Sequence, residues 1–267
     1  MTPVTPGPDP AAAPPGATPG DSTVVIVNPV GRGGFVLACE HAAPDMPPEY
    51  ANLGLADELL RTHIAWDPGA LGVAEELAAR LDAPLVRARY SRLLYDCNRP
   101  PEAPDAITPH SEVHAIPGNV GLTPAARRQR IERFYEPYRA ALAATVQDRL
   151  AAGARPVLVT VHSFTPVYRG QRRELDLGIL HDTDTRLADE LLARVPVGGG
   201  LRVARNAPYG PWDGVTHTLR LHALPHGLLN AMIEIRNNLI ADPAAQATLA
   251  ARLAGHLVAA RAALSGD

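Results

Sequence analysis

An α/β fold, with a largely parallel or mixed sheet covered by helices, is what this sequence predicts, and three observations lead there. Short apolar runs bounded by turn residues alternate with longer stretches whose apolar residues recur at spacings of three and four. No internal repeat appears, and no linker after the first twenty residues is strong enough to divide the chain. The 267 residues, 46% hydrophobic and 20% charged, suffice for one substantial core and exclude disorder along the whole length.

Residues 1–20 hold seven prolines, three glycines and one charge, Asp9, and read as a disordered Pro/Ala/Gly-rich tail, because they offer too little apolar surface to offset ordering of the backbone. They also lack the basic and apolar regions of a signal peptide. A single domain, 21–267, follows. Its candidate strands are 34–39, 84–87, 93–97, 156–161, 177–180 and 231–235, each an apolar run between turn residues. The spacing predicts helices over 70–81, 123–152, 184–195 and 242–264, the last three opened by Thr123, Asp184 and Asp242 as caps. The Pro-rich stretch 100–117 reads as a long loop. In open sheets of this class ligands sit beyond the carboxyl ends of the strands, so polar residues at strand exits are the candidates for chemistry.

Composition removes several function classes. A net charge of -3 leaves no basic field for nucleic acid. All 25 basic residues are arginine, so neither a Schiff-base lysine nor a phosphate-loop GK[ST] exists. Only Cys39 and Cys97 are present, which fits a reducing cytoplasm and no disulfide. With no uncharged apolar run near the length of a membrane span, the expectation is a soluble, cytoplasmic protein without a membrane partner. No heptad seam is visible, and a homodimer is expected only because dimers are the commonest oligomers.

Five clusters carry candidate chemistry. The first strand runs into Cys39, Glu40 and His41, and the strand over 156–161 delivers His162 and Ser163. Each histidine alone could equally be a hydrogen-bonded core residue. In His63-Ile-Ala-Trp-Asp67-Pro-Gly-Ala70, Asp67 has the position of a helix N-cap before Pro68, but two imidazoles and one carboxylate also suit catalytic zinc with a fourth position for water. Asn98 and Arg99 offer an amide and a planar fork of donors that match a carboxylate, the alternative being an ion pair between Asp96 and an arginine. Glu234 lies inside a buried strand, where a carboxylate is expensive unless paired or used. Arg236, two residues on, shares its face and either pairs with it or joins it in one site.

Together these residues resemble the N-formylglutamate amidohydrolase family, which shares a fold with zinc carboxypeptidases and aspartoacylases. The resemblance is carried by CEHAAPDMP at 39–47, LGL at 53–55, HIAWDPGA at 63–70, YSRLLYDCNRP at 90–100, IPGN at 116–119, VHSF at 161–164 and IEIRNNLI at 233–240. It implies a metal-dependent hydrolase with a three-layer α/β/α, phosphorylase/hydrolase-like fold around a mixed, largely parallel sheet.

Carried over residue by residue, the resemblance makes His41 and His162 ligands of one zinc ion per chain, Glu234 the general base, and Asn98 and Arg99 the pair that holds a substrate carboxylate. Carboxypeptidases place an acidic ligand three residues after the first histidine, where this chain has Pro44. Asp67 is the carboxylate chosen instead, with Glu40 and Asp45 as rivals, and His63 is expected to orient it. The implied reaction is hydrolysis of the amide of a small N-formyl or N-acyl acidic amino acid, N-formylglutamate giving formate and glutamate. Arg92 helps to stabilise the oxyanion, and Arg236 assists carboxylate recognition. Three alternatives remain at this point. The same zinc site could act on another N-acyl amino acid, peptide amide or biosynthetic intermediate. Cys39 could be a nucleophile with His41 as its base, although adjacent strand residues point to opposite faces. The chain could also bind an acidic ligand without turnover.

Overall fold

Runs of Val, Leu and Ile with no polar face become strands covered on both sides, since such strands must be apolar on both faces. The computed structural model describes residues 22–194 and 200–265; the tail expected over 1–20 lies outside the described residues. In chain order, β1 (Val24–Val27) and β2 (Phe35–Cys39) precede helices α1 (Asp57–Leu60) and α2 (Ala70–Arg80) and strand β3 (Leu85–Ala88). A ribbon of β4 (His110–Ser111) and β5 (His114–Ala115) leads into α3 (Pro124–Arg130), which a π-helical turn, Ile131–Tyr135, joins to α4 (Glu136–Ala151). Then come β6 (Val157–Phe164), a ribbon of β7 (Val167–Tyr168) and β8 (Gln171–Arg172), and β9 (Leu177–Leu180). The chain finishes with α5 (Arg186–Arg194), β10 (Val203–Arg205), α6 (His217–His222), β11 (Asn230–Arg236) and α7 (Pro243–Leu264).

Seven strands form the central sheet in the order β1-β3-β2-β6-β11-β9-β10. β3, β2, β6 and β11 are mutually parallel, β1 joins as an antiparallel edge, and β9 with β10 lies antiparallel to β11. This is the mixed, mostly parallel sheet the sequence predicts. Helices α2, α5 and α7 cover one face with Leu77, Leu191, Leu253 and Leu257, and α4 and α6 cover the other with Tyr138, Leu142 and Leu219. Thr123 and Asp242 cap their helices as expected, each accepting from a backbone N–H three residues on. Among the described residues no helix is long and apolar enough to cross a membrane.

Residues 93–97 are not a strand. Their backbone closes local turns, Leu94 N–H to Ser91 and Arg99 N–H to Asp96, while Asp96 N–H reaches Ala106. The run is apolar because Leu93, Leu94, Tyr95 and Cys97 plug the second face of the sheet as an irregular loop. The expected helix over 123–152 is continuous but carries the π-helical turn, beside which buried Arg130 donates to Asn119 Oδ1 and to the carbonyls of Gly118 and Leu94. β1, β10 and α6 had no counterpart in the sequence reading.

Candidate active site

Strand phase decides which residues meet. Along β2, β6 and β11 the odd-numbered residues Leu37, Val161 and Ile233 enter the first apolar cluster, and the even-numbered Ala38, Leu158 and Met232 enter the second. Glu40, His162 and Glu234 continue the even phase at the carboxyl ends of adjacent strands, with Glu234 paired in register with His162. Cys39 falls on the opposite face, is fully buried, and does not line the cavity described below; burial pushes its thiol up, with the charge of Glu40 adding to the effect. A thiolate nucleophile is disfavoured there.

The loop after β2 brings His41 in, and the loop before α2 brings Asp67. Asp67 is not the N-cap of α2: that position is taken by Gly69 at φ 80°, where a β-carbon would stand 2.4 Å from the Ile240 carbonyl oxygen. The Asp67 carboxylate is thereby turned inward. Its backbone N–H donates to the His41 carbonyl at 2.9 Å, and its Oδ2 accepts from Ser163 N–H at 3.2 Å.

Three atoms then converge. Asp67 Oδ2 lies 3.2 Å from His41 Nδ1 and 2.9 Å from His162 Nδ1, and the two Nδ1 atoms are 3.2 Å apart. The outer nitrogen of each ring faces another carboxylate: His41 Nε2 is 2.7 Å from Asp96 Oδ1, and His162 Nε2 is 3.1 Å from Glu40 Oε2. An ionised carboxylate only accepts, so His41 Nε2 carries the hydrogen toward Asp96 and turns its Nδ1 lone pair toward Asp67 and His162, whereas His162 Nε2 stands near Glu40 without an aligned hydrogen bond. Three acceptors facing one point repel unless a cation or a proton sits among them.

The charges agree. Burial opposes ionisation of Asp67, Asp96 and Glu40, but His41 and His162 at Asp67, His41 with Arg92 at Asp96, and chiefly His162 at Glu40 outweigh it and hold all three below the ordinary carboxylate range. Burial likewise opposes charge on His162, yet Glu40 and Asp67 drive its pKa well above the usual value. Arg92 spans the cluster, Nη1 3.4 Å from Asp67 Oδ1 and Nη2 2.8 Å from Asp96 Oδ2. In the metal-free fold a proton on His162 answers part of this negative charge; with both imidazoles neutral, as metal ligands must be, three carboxylates against Arg92 leave an excess of two negative charges, which a divalent cation would neutralise. His41, Asp67 and His162 are the residues that could hold it.

Beside them Glu234 is buried, with Oε2 lacking a hydrogen-bond partner. Burial, reinforced by the Asp67 charge, pushes its carboxyl up to about 7. These groups line a cavity of about 380 Å³ that also touches Arg92, Asn98, Arg99, Phe164, Tyr168 and Tyr209.

Other expected residues fall differently. Asn98 lines the cavity, but its amide donates to Val215 O at 2.6 Å and its Oδ1 accepts from Thr218 N–H, which ties this loop to α6. Arg99 reaches the cavity while bound to Asp105 at 2.8 Å. Arg236 does not line it: the guanidinium is held 2.7 Å from Asp176 and bonds Asn238. His63 pairs with Glu112 at 3.2 Å and makes no hydrogen bond to Asp67, and Asp45 is exposed and off the cavity. Glu40 reaches His162 from behind, so of the three candidate carboxylates only Asp67 faces both Nδ1 atoms. The sequence reading missed Asp96 as the partner of His41; its proximity to Asn98 and Arg99 in YDCNRP was the available signal.

The model of the N-formylglutamate amidohydrolase family matches residues 33–241. The chain belongs to that family. It is therefore an amidohydrolase. As an N-formylglutamate amidohydrolase family member it is similar to the gene product Atu2144 from Agrobacterium tumefaciens, at 50% identity and TM-score 0.89, over 91% of this chain and 96% of that one. It also resembles the N-formylglutamate amidohydrolase from Ralstonia eutropha JMP134 in fold, at 21% identity and TM-score 0.63, over 92% and 100% of the two chains. No curated protein matches it.

Proposed function

We propose that the cavity hydrolyses the amide of an N-formyl or N-acyl acidic amino acid, N-formylglutamate giving formate and glutamate, with one zinc ion held by His41, Asp67 and His162. The observation that carries this reading is the convergence of two imidazole Nδ1 atoms and one carboxylate oxygen next to a protonatable Glu234. Two nitrogen donors and one oxygen donor suit a catalytic zinc site with room for a further ligand. Bound there, the ion supplies Lewis acidity, acidifying water and polarising a carbonyl.

The side chains supply the rest. Asp96 orients the His41 ring and fixes its tautomer through Nε2, and the buried charge of Glu40 stands 3.1 Å behind His162. Glu234, with its pKa near 7, is matched to accept a proton from the attacking water and return it to the departing amine. The water oxygen ends in the released acid, and its two protons end on amine and solvent. Arg92 offers positive charge where the oxyanion develops. Arg99 is the cation placed to meet a substrate carboxylate, and Asn98 keeps its loop in place. A cytoplasmic setting belongs to the proposal and is supported by two free, buried cysteines.

Metal analysis of purified protein should return one zinc per chain, and His162→Ala should lose it. Glu234→Gln should keep the metal and lose at least about a hundredfold in kcat, the usual scale of acid-base contributions. A panel of acylated amino acids, read as released amine, identifies the acyl group. Full turnover after metal removal would overturn the proposal.

A further inference from the structure

One cavity residue has a hydrogen bond whose direction is forced. Tyr209 lines the cavity with Arg92 and Glu234, and its phenolic oxygen is 3.0 Å from Arg173 Nη1. A guanidinium has five N–H donors and no acceptor, so Arg173 donates and the phenol accepts. The phenol's own hydrogen must point elsewhere, and among the described residues no acceptor stands against it. Arg173 is itself held firmly: its guanidinium carbon lies 4.5 Å from the ring centre of Tyr168, 5.0 Å from that of Tyr209 and 5.6 Å from that of Phe164. Its backbone N–H donates to Pro166 O at 2.8 Å. The donor on Tyr209 is thus pre-aimed by a cation that three rings keep in place.

The end of the cavity it serves also follows. Tyr209 senses the charges of Glu234 and Arg92, the two groups assigned to the reacting carbonyl, whereas Arg99 and Asp105 stand with the 93–99 loop. Burial, with the charge of Glu234 adding to it, raises the phenol above its ordinary value, so the O–H persists across the working pH range.

Building on the proposed function, we propose that Tyr209 is a further catalytic residue, donating its phenolic hydrogen bond to the substrate carbonyl oxygen as negative charge develops there, and that Arg173 is the positioning residue that aims it. No proton is transferred and no bond is formed by Tyr209; the donor acts by electrostatic stabilisation.

The test uses full-length, metal-loaded protein and whichever N-acyl amino acid the wild type cleaves fastest, so that it holds even if the acyl group is not formyl. Tyr209→Phe keeps the ring that stacks on Arg173 and removes only the hydroxyl. It should lower kcat roughly tenfold to a hundredfold, somewhat below the loss of a main oxyanion donor, with KM and bound metal unchanged. Arg173→Met should lower kcat by less, and should cost nothing further in the Tyr209→Phe background. A kcat for Tyr209→Phe within twofold of wild type overturns the inference, as does an Arg173→Met loss of equal size in both backgrounds. Glu234→Gln, run in parallel, separates the two claims. If Glu234→Gln loses at least about a hundredfold while Tyr209→Phe stays within twofold of wild type, the proposed function stands and this inference falls.

Discussion

Leu37, Val159 and Ile233 on one face of the sheet and Ala38, Leu158 and Met232 on the other are neighbours along the same three strands, yet the two faces are finished differently. The first is sealed by α2, α5 and α7 with Ala, Leu and Val from end to end. The second is covered by α4, α6 and the irregular 91–99 loop, with Tyr135, Tyr138 and Phe134, and it gives way beyond the strand ends to Glu40, His162 and Glu234. Long regular helices leave no gap over a sheet, whereas loops anchored by side-chain hydrogen bonds leave a cavity at its carboxyl edge. Chemistry collects on the loosely closed face because charged side chains can there find partners and substrate.

Moving a carboxylate by one residue breaks the comparison most severely. Ile233→Glu points into the aliphatic cluster, where no cation waits, and should destabilise the fold by more than about 4 kcal/mol or prevent folding. Denaturant melts compare it with Glu234→Gln, which should fold normally. If Ile233→Glu retains wild-type stability, the first face is not the closed core described above.

Next in size are the carboxylates behind the histidines. Glu40→Gln and Asp96→Asn should each weaken metal binding by roughly tenfold to a hundredfold while leaving the three inner atoms in place. Competition with a chelator measures it. Cys39→Ala, one residue from Glu40 but on the other face, should leave metal affinity unchanged, and an effect as large as that of Glu40→Gln would contradict the assignment of faces.

The strands were legible where both faces are buried, as in VLVTV of β6, because a short apolar run between turn signals has few other uses. The 93–97 run defeated the same logic, since a loop that plugs a core is just as apolar. β10 is an edge strand of only three residues, whereas β1, VVIV, is as long as β3 and β9, so its apolar run was a usable signal that went unread. At the site, His41, His162 and Glu234 stood out because a polar group ending an apolar run needs a reason to be there. Asp67 was ambiguous: Asp-Pro-Gly reads as a helix start, and only the left-handed Gly69 shows that the side chain is not spent on a cap. Partners across the sheet, Asp96 for His41 and Asp176 for Arg236, are 55 and 60 positions apart, and no local pattern encodes them. Tyr209 sits in a loop without periodicity, so only the three-dimensional grip of Arg173 marks it.

A pH-dependent effect concerns Glu234 in the metal-free protein. Its carboxyl is raised from 4.5 to about 7, burial being the main cause, so the folded state holds the proton more tightly than the unfolded chain. The charged form therefore costs stability fully above about pH 7, and the cost disappears as pH falls toward 4.5. Metal-free Glu234→Gln should be more stable than wild type at pH 8 by up to about 3 kcal/mol and indistinguishable near pH 4.5.

A second pH-dependent effect separates the loosely closed face itself from the site it carries. His222 on α6 is buried beside Arg139 and His226, and burial lowers its pKa from 6.5 to about 4, with Glu40 pulling the other way and His217, Arg139 and His226 adding to the depression. The ring is therefore neutral in the fold, while the unfolded chain takes up a proton below 6.5. The buried neutral ring costs nothing above pH 6.5, and a cost builds up as pH falls toward 4 because only the unfolded chain takes up the proton, the opposite slope to that of Glu234. His222→Gln should flatten the stability profile between those limits by up to about 3 kcal/mol without changing kcat, because His222 does not line the active cavity. An unaltered profile would show that α6 opens to admit water at low pH, so that this face is loose beyond the cavity as well as at it.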